Sequence, residues 1–238
     1  MLSRLLAAAL ALAAALLFVG LGFWQLDRHA ERAARNALIE ARLAQGPLDL
    51  ASALGGDSAE YRRARVSGVF DFSRQVVQQG RVVGGVPAVY IATPLIVGPD
   101  RAILVERGWV ASPDARGVDL ARLREPDTAV VEGVLLRLEG GGASSDTAWP
   151  RFVRRADPTM LQPWFPYALA PLVLRRTALP PAASEVMGVA PVPARTRGPH
   201  LSYAVQWFLF AAIAVIGPLV GSGILRPGGR ATTAPPHY

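Results

Sequence analysis

Hydrophobic residues gather at the two ends of the chain, and through its middle they alternate with polar ones. Residues 5–24 are apolar and carry no charge after Arg4. That is about the length a helix needs to cross a hydrocarbon core of about 30 Å. A cleaved signal peptide has a shorter apolar region and a small-x-small exit. Here the run closes on Gly20-Leu21-Gly22-Phe23-Trp24, so a retained membrane helix is expected, with Trp24 in the interfacial aromatic belt. Residues 201–225 form a second apolar run, ending at Arg226-Pro227-Gly228-Gly229-Arg230. Gly217-Pro218 within it predicts a kink. Residues 27–43 continue the first helix: Ala30, Ala34, Ala37, Leu38 and Ala41 recur at helical spacing, and Gly46-Pro47 stops the pattern.

The middle has a different period. Short β-prone runs separated by turn residues occupy 63–70, 75–79, 89–97, 102–110, 128–138 and 168–175. Gly98-Pro99-Asp100 between the third and fourth has the residues of a tight turn and predicts a hairpin. A single helical turn is expected at 157–161. Residues 139–146 are rich in Gly and Ser and read as a loop. Residues 180–199 contain five prolines and predict an extended tether.

The chain therefore divides into a first membrane helix (1–26), a helical extension (27–45), a β-rich outer domain (46–179), a Pro-rich tether (180–199), a second membrane helix (200–225) and a cytoplasmic tail (226–238). The expected fold is membrane α+β, with two transmembrane helices flanking an antiparallel β-barrel or sandwich-like extramembrane domain.

Composition sharpens this. Of 238 residues, 51% are hydrophobic, and the excess over a soluble domain lies in the two end runs. There is no cysteine, which removes disulfides, thiolate metal sites and a cysteine nucleophile. The net charge is +7 and every basic residue is arginine. That balance suits anionic lipid headgroups. Nucleic acid is not expected as a partner, because the arginines are dispersed and no binding motif accompanies them. The arginines flanking the ends, Arg4, Arg226 and Arg230, put both termini in the cytoplasm and the domain outside. Arg28, Arg32 and Arg35 oppose this, but long loops translocate largely regardless of charge.

Candidate chemistry is sparse. No phosphate-cradling glycine loop, HExxH or Ser/His/Asp pattern is present, and no enzymatic activity is expected. Asp57 and Glu60 read as a solvated turn before a strand, and His237 lies near the C-terminus. His200 opens the second membrane helix, and at about 100° per residue Tyr203 and Trp207 fall on its face. Imidazole, phenol and indole together fit two readings. One is an interfacial anchor, which the pattern alone favours; the other is a haem site with His200 as axial ligand. On the first helix Gly20, Gly22, Trp24, Gln25 and Arg28 mark the outer end, where small residues allow close helix approach. In the domain, Glu60-Tyr61-Arg62-Arg63 and Arg107-Gly108-Trp109 are the densest polar-aromatic clusters; their arginines suit either an acidic group on a partner or a structural salt bridge.

These segments together are familiar. Gly22-Phe23-Trp24-Gln25-Leu26-Asp27-Arg28 resembles the signature that ends the first membrane helix of the Surfeit locus protein 1 family. Glu60-Tyr61-Arg62-Arg63 with Val66-Ser67-Gly68-Val69-Phe70, then Thr93-Pro94-Leu95, then Val105-Glu106-Arg107-Gly108-Trp109-Val110 resemble its domain motifs. His200-Leu201-Ser202-Tyr203-Ala204 with Trp207-Phe208 resembles the start of its second membrane helix. The order and spacing agree across nearly the whole chain. Three places depart: Glu106 replaces an asparagine, Pro199 a polar residue, and Pro87-Ala88-Val89-Tyr90 alters the approach to Thr-Pro-Leu.

The resemblance implies an assembly factor for a haem-copper cytochrome c oxidase in a bacterial inner membrane. It implies binding of haem a and its delivery to the largest oxidase subunit, with haem a synthase and membrane lipids as further contacts. A scaffold that stabilises an oxidase intermediate without haem is the alternative. His200 maps onto the proposed iron ligand. Tyr203, Trp207, Trp24 and Gln25 are expected around it. Tyr61, Arg62, Arg107 and Trp109 are candidates for contact with a partner or a haem propionate.

Overall fold

The computed structural model describes residues 2–49, 59–140, 148–192 and 198–221. Asp57, most of the 139–146 loop, the arginines of the C-terminal tail and His237 lie outside them. The chain forms two compact units, residues 1–37 with 195–238, and residues 38–194.

The first unit is a helix pair. Helix α1 runs Leu2–Ala44 without a break, about 64 Å at about 1.5 Å per residue. It joins the expected membrane helix and its extension in one element. The C-terminal helix, here α4, spans His200–Gly221, with Pro218 inside it. Both are long and apolar enough to cross a membrane by length and composition.

The two helices meet along a seam with coiled-coil spacing. On α1 it runs Ala15, Phe18, Gly22, Gln25, in steps of three and four; on α4 it runs His200, Ala204, Trp207, Ala211. Ala15, Ala204 and Ala211 are buried. Phe18 stacks on Trp207 at 5.6 Å and meets Phe210 at 5.9 Å. A Cβ at Gly22 would lie 2.6 Å from the Phe208 ring, so glycine there is what lets the helices close.

The second unit is a mixed sheet. Its strands are β1 (Arg63–Phe70), β2 (Val76–Val83), β3 (Val86–Gly98), β4 (Arg101–Ala111), β5 (Thr128–Leu136), β6 (Arg151–Val153) and β7 (Ala168–Arg176). Their order is β1-β5-β7-β4-β3-β2-β6. The hairpin expected at Gly98-Pro99-Asp100 is present, with β3 and β4 paired from Gly98↔Arg101 to Ala88↔Ala111. The purely antiparallel expectation is corrected: β2 with β6 and β4 with β7 run parallel. Both are pairs of strands distant in sequence, so no hairpin constrains their direction. The barrel expectation is met only in part. β1 touches β3 over just two residue pairs, Val69↔Ile96 and Phe70↔Leu95.

The main core lies between Val66, Phe70, Leu95, Ile103, Val105, Leu135, Leu172 and Leu174, all buried. The last turns of α1 add Ile39 and Leu43 against Tyr61, Val134 and Leu136. The stretch after β7 is not a free tether as far as Val192. It forms a helical turn, α3 (Pro181–Ser184). Trp109 and Gly188 then exchange two backbone hydrogen bonds of 2.8 Å, and Ala183, Met187 and Ala190 are buried.

Candidate functional site at the helix pair

Of the residues singled out from the sequence, His200 and Gln25 are brought together. The imidazole Nδ1 lies 2.8 Å from Gln25 Oε1. A carboxamide oxygen only accepts, so in the tautomer that makes this hydrogen bond Nδ1 donates and Nε2 carries the lone pair. That nitrogen is buried and, among the described residues, has no hydrogen-bond partner. This is the tautomer and orientation in which histidine binds a metal, with the other ring nitrogen held by a second residue. Beside it, Gly198 adopts φ +67°, and a Cβ there would lie 3.2 Å from Nε2. Glycine there keeps a side chain off that edge of the ring, where the Arg32 Nη1 also lies 3.6 Å from such a Cβ. An imidazole nitrogen so placed, with no partner among the described residues, is compatible with an axial haem ligand.

The expected aromatic neighbours divide. Trp207 lies on the seam two turns along from His200, but its ring is engaged by Phe18 and Phe210. Tyr203 and Trp24 are about half exposed, at 46% and 51%. The same helical arithmetic places His29 one turn beyond Gln25 on α1. Its Nδ1 too is buried, with no hydrogen-bond partner among the described residues. The sequence signal for it was its spacing of four from Gln25.

In the domain, the residues expected to meet a partner or propionate each make contacts within the fold. Arg107 is fully buried. It pairs with Glu125 at 2.7 Å and hydrogen-bonds Gln75 Oε1 at 3.2 Å and the Leu123 carbonyl. Burial pulls its guanidinium below the ordinary arginine range, while Glu125 raises it. Glu125 also takes Arg176, at 2.7 Å. Glu106 is buried between Gln78 and Arg175, each at 2.5 Å. Arg62 donates to the Gly46 carbonyl at 2.9 Å. Trp109 Nε1 donates to the Val189 carbonyl at 3.1 Å. Tyr61 is buried at φ 63°, placed by backbone bonding of its N–H to the Leu135 carbonyl.

Fold and site define the class: an α+β protein with a membrane-length helix near each end, a mixed seven-stranded sheet domain and an imidazole held on the helix seam. Residues 12–212 match the SURF1 family, and the chain belongs to that family. It is similar to uncharacterized SURF1-like proteins of Mycobacterium bovis and Mycobacterium tuberculosis, 29% identical over 85% of this chain and 76% of each relative. A SURF1-like protein of Rickettsia felis is 32% identical over 40% of this chain and 42% of its own.

Proposed function

We propose that this chain is an assembly factor of a haem-copper oxidase, anchored in a bacterial inner membrane by α1 and α4, and that it holds haem a through His200. The observation that carries the reading is the His200 ring, oriented by Gln25 through Nδ1 and left with a buried, unpartnered Nε2. When bound, the haem would supply an iron that accepts this lone pair. Gln25 fixes the ring, and glycine at 198 places no side chain against Nε2. Membership of the SURF1 family supports the assembly role. Delivery of the haem to the largest oxidase subunit is the further step that the family resemblance implies.

The test is co-expression with the haem a pathway and purification in detergent. His200→Ala should lose or shift the haem absorbance while the protein stays in the membrane, since a helix this apolar inserts without one histidine. Trp207→Ala removes an aromatic packing ring, and should lower haem retention without changing the spectrum of what remains. An unchanged His200→Ala spectrum would overturn the ligand assignment and leave a scaffold that stabilises an oxidase intermediate. Both termini should be cytoplasmic: reporters fused at Tyr238 and in the 139–146 loop should report opposite compartments, and the same compartment for both would defeat the topology.

A further inference from the structure

We propose that the sheet domain carries a second binding site, a cleft for an acidic polypeptide segment, independent of haem. The cleft has a volume of about 840 Å³ and is lined by Arg81, Arg116, Arg154 and Arg155 together with Asp114 and Glu139. Its walls come from four places in the sequence: β2 about its bulge, the loop after β4, the residues that follow β5, and the segment that follows β6.

The guanidiniums are of two kinds. Arg81 and Arg155 are fixed by the fold. Arg81 Nη2 donates to Gln78 Oε1 at 2.8 Å and to the Arg154 carbonyl at 2.9 Å. Arg155 Nη1 donates to the Glu139 carbonyl at 2.7 Å. The side chains of Arg116 and Arg154 are exposed and, among the described residues, have no carboxylate partner. The cleft therefore has an anchored basic frame and two unengaged forks suited to carboxylates.

The cleft's chemistry favours a polypeptide over a phosphate. A phosphate site is usually built from free backbone N–H groups, and here the loop amides are taken. Gly80 N–H donates to the Ala115 carbonyl. Those of Arg116 and Gly117 donate to Asp114 Oδ1, and that of Gly140 to Asp157 Oδ2. Asp114 and Glu139 interrupt the positive wall, which disfavours a compact polyanion. Carboxylates spaced along an extended chain can reach guanidiniums on separate walls while avoiding both. The volume also exceeds what a single carboxylate or phosphate fills.

The experiment uses the full chain in nanodiscs of zwitterionic lipid and a fluorescein-labelled Glu/Gly copolymer peptide, read by anisotropy. Peptide binding should weaken about three- to tenfold in Arg116→Gln and again in Arg154→Gln, and should fall with salt. Arg65→Gln, which removes an exposed guanidinium paired with Glu132 on β5, should leave it unchanged. Neither cleft variant removes a contact of the fold, so melting temperatures should match the parent. Absent binding, or binding indifferent to both cleft variants, overturns the proposal. So does inorganic phosphate displacing the peptide at equal concentration, which would make this a phosphate site. Association that requires anionic lipid in the discs would assign the cleft to headgroups and overturn it equally.

Discussion

Replacing Glu125 by glutamine should strip the sheet domain of the one carboxylate that compensates two buried guanidiniums. The variant keeps the size of the side chain and one acceptor oxygen but removes the charge. The side chains of Arg107, Arg176 and Glu125 are 0%, 4% and 6% exposed, so water screens little of the loss. Breaking a buried ion pair from one side costs about 3–5 kcal/mol, out of a total stability of about 5–15 kcal/mol. For a domain of this size each kcal/mol moves the midpoint by about 2–4 °C, so the melting temperature of the detergent-solubilised chain should drop by about 10 °C. The rings of Phe70 and Phe72, 5.7 and 5.0 Å from the Arg107 guanidinium, stabilise the cation far less than a carboxylate does. A triple variant, Arg107→Met, Glu125→Leu and Arg176→Met, removes all three charges at similar volume and should recover much of the loss. If Glu125→Gln melts within about 2 °C of the parent, the two guanidiniums are compensated by something other than Glu125 and the reasoning fails.

Two other outcomes follow from local geometry. Gly188→Ala would drive a Cβ into the Trp109 indole, so it should cost about 1–3 kcal/mol and shift the tryptophan emission; a variant as stable as the parent would show that the strand-like contact of Gly188 with Trp109 is dispensable. Asp114 is held at about 2, below its ordinary 3.8, by the Gly117 N–H first and then by Ser112 Oγ and the Arg116 N–H. Its folded value is depressed, so its contribution to the 112–117 loop is present above about 3.8 and lost as pH falls through about 2. Amide exchange of Arg116 and Gly117 should accelerate across that window in the parent and be already fast and pH-independent of this group in Asp114→Asn.

What the sequence revealed followed the reach of its signals. Both membrane-length helices and the β3–β4 hairpin rest on local pattern, an apolar run and the Gly98-Pro99-Asp100 turn. The parallel pairings were invisible because β6 is three residues long and β7 meets β4 across a separation that no turn encodes. Proline content suggested a free tether after residue 180, yet Met187 and Gly188 are docked on β4, since prolines at 180, 181 and 191 leave the intervening amides free to bond. Which of its two readings, partner contact or structural salt bridge, Arg107 would follow was not legible, for a more instructive reason. Glu106 and Arg107 are adjacent and point to opposite faces, and both are fully buried because β4 lies between β3 and β7 with both faces covered. Their partners, Arg175 and Glu125, lie 69 and 18 residues away, beyond any local window. The His200–Gln25 contact spans 175 residues, but each half sat in a motif at a helix end, so both residues were found and only their bond was not.

The composition of the seam bears on which reading of His200 is better. An interfacial anchor gains by turning its polar ring outward to headgroups and water, as Tyr203 and Trp24 do at about half exposure. His200 does the opposite. Its ring turns inward to Gln25, and its second nitrogen is buried with no partner among the described residues. Deeper on the seam the contacts are alanine, glycine and aromatic rings, which pack at no polar cost. At Gln25, His29 and His200 that economy stops. A buried, unpaired imidazole nitrogen is a net cost to the helix pair, and leucine in its place would pack with none. Polar groups turned inward between apolar helices are candidates for function, and among the described residues none satisfies Nε2. An iron centre would, and a headgroup anchor would not need it.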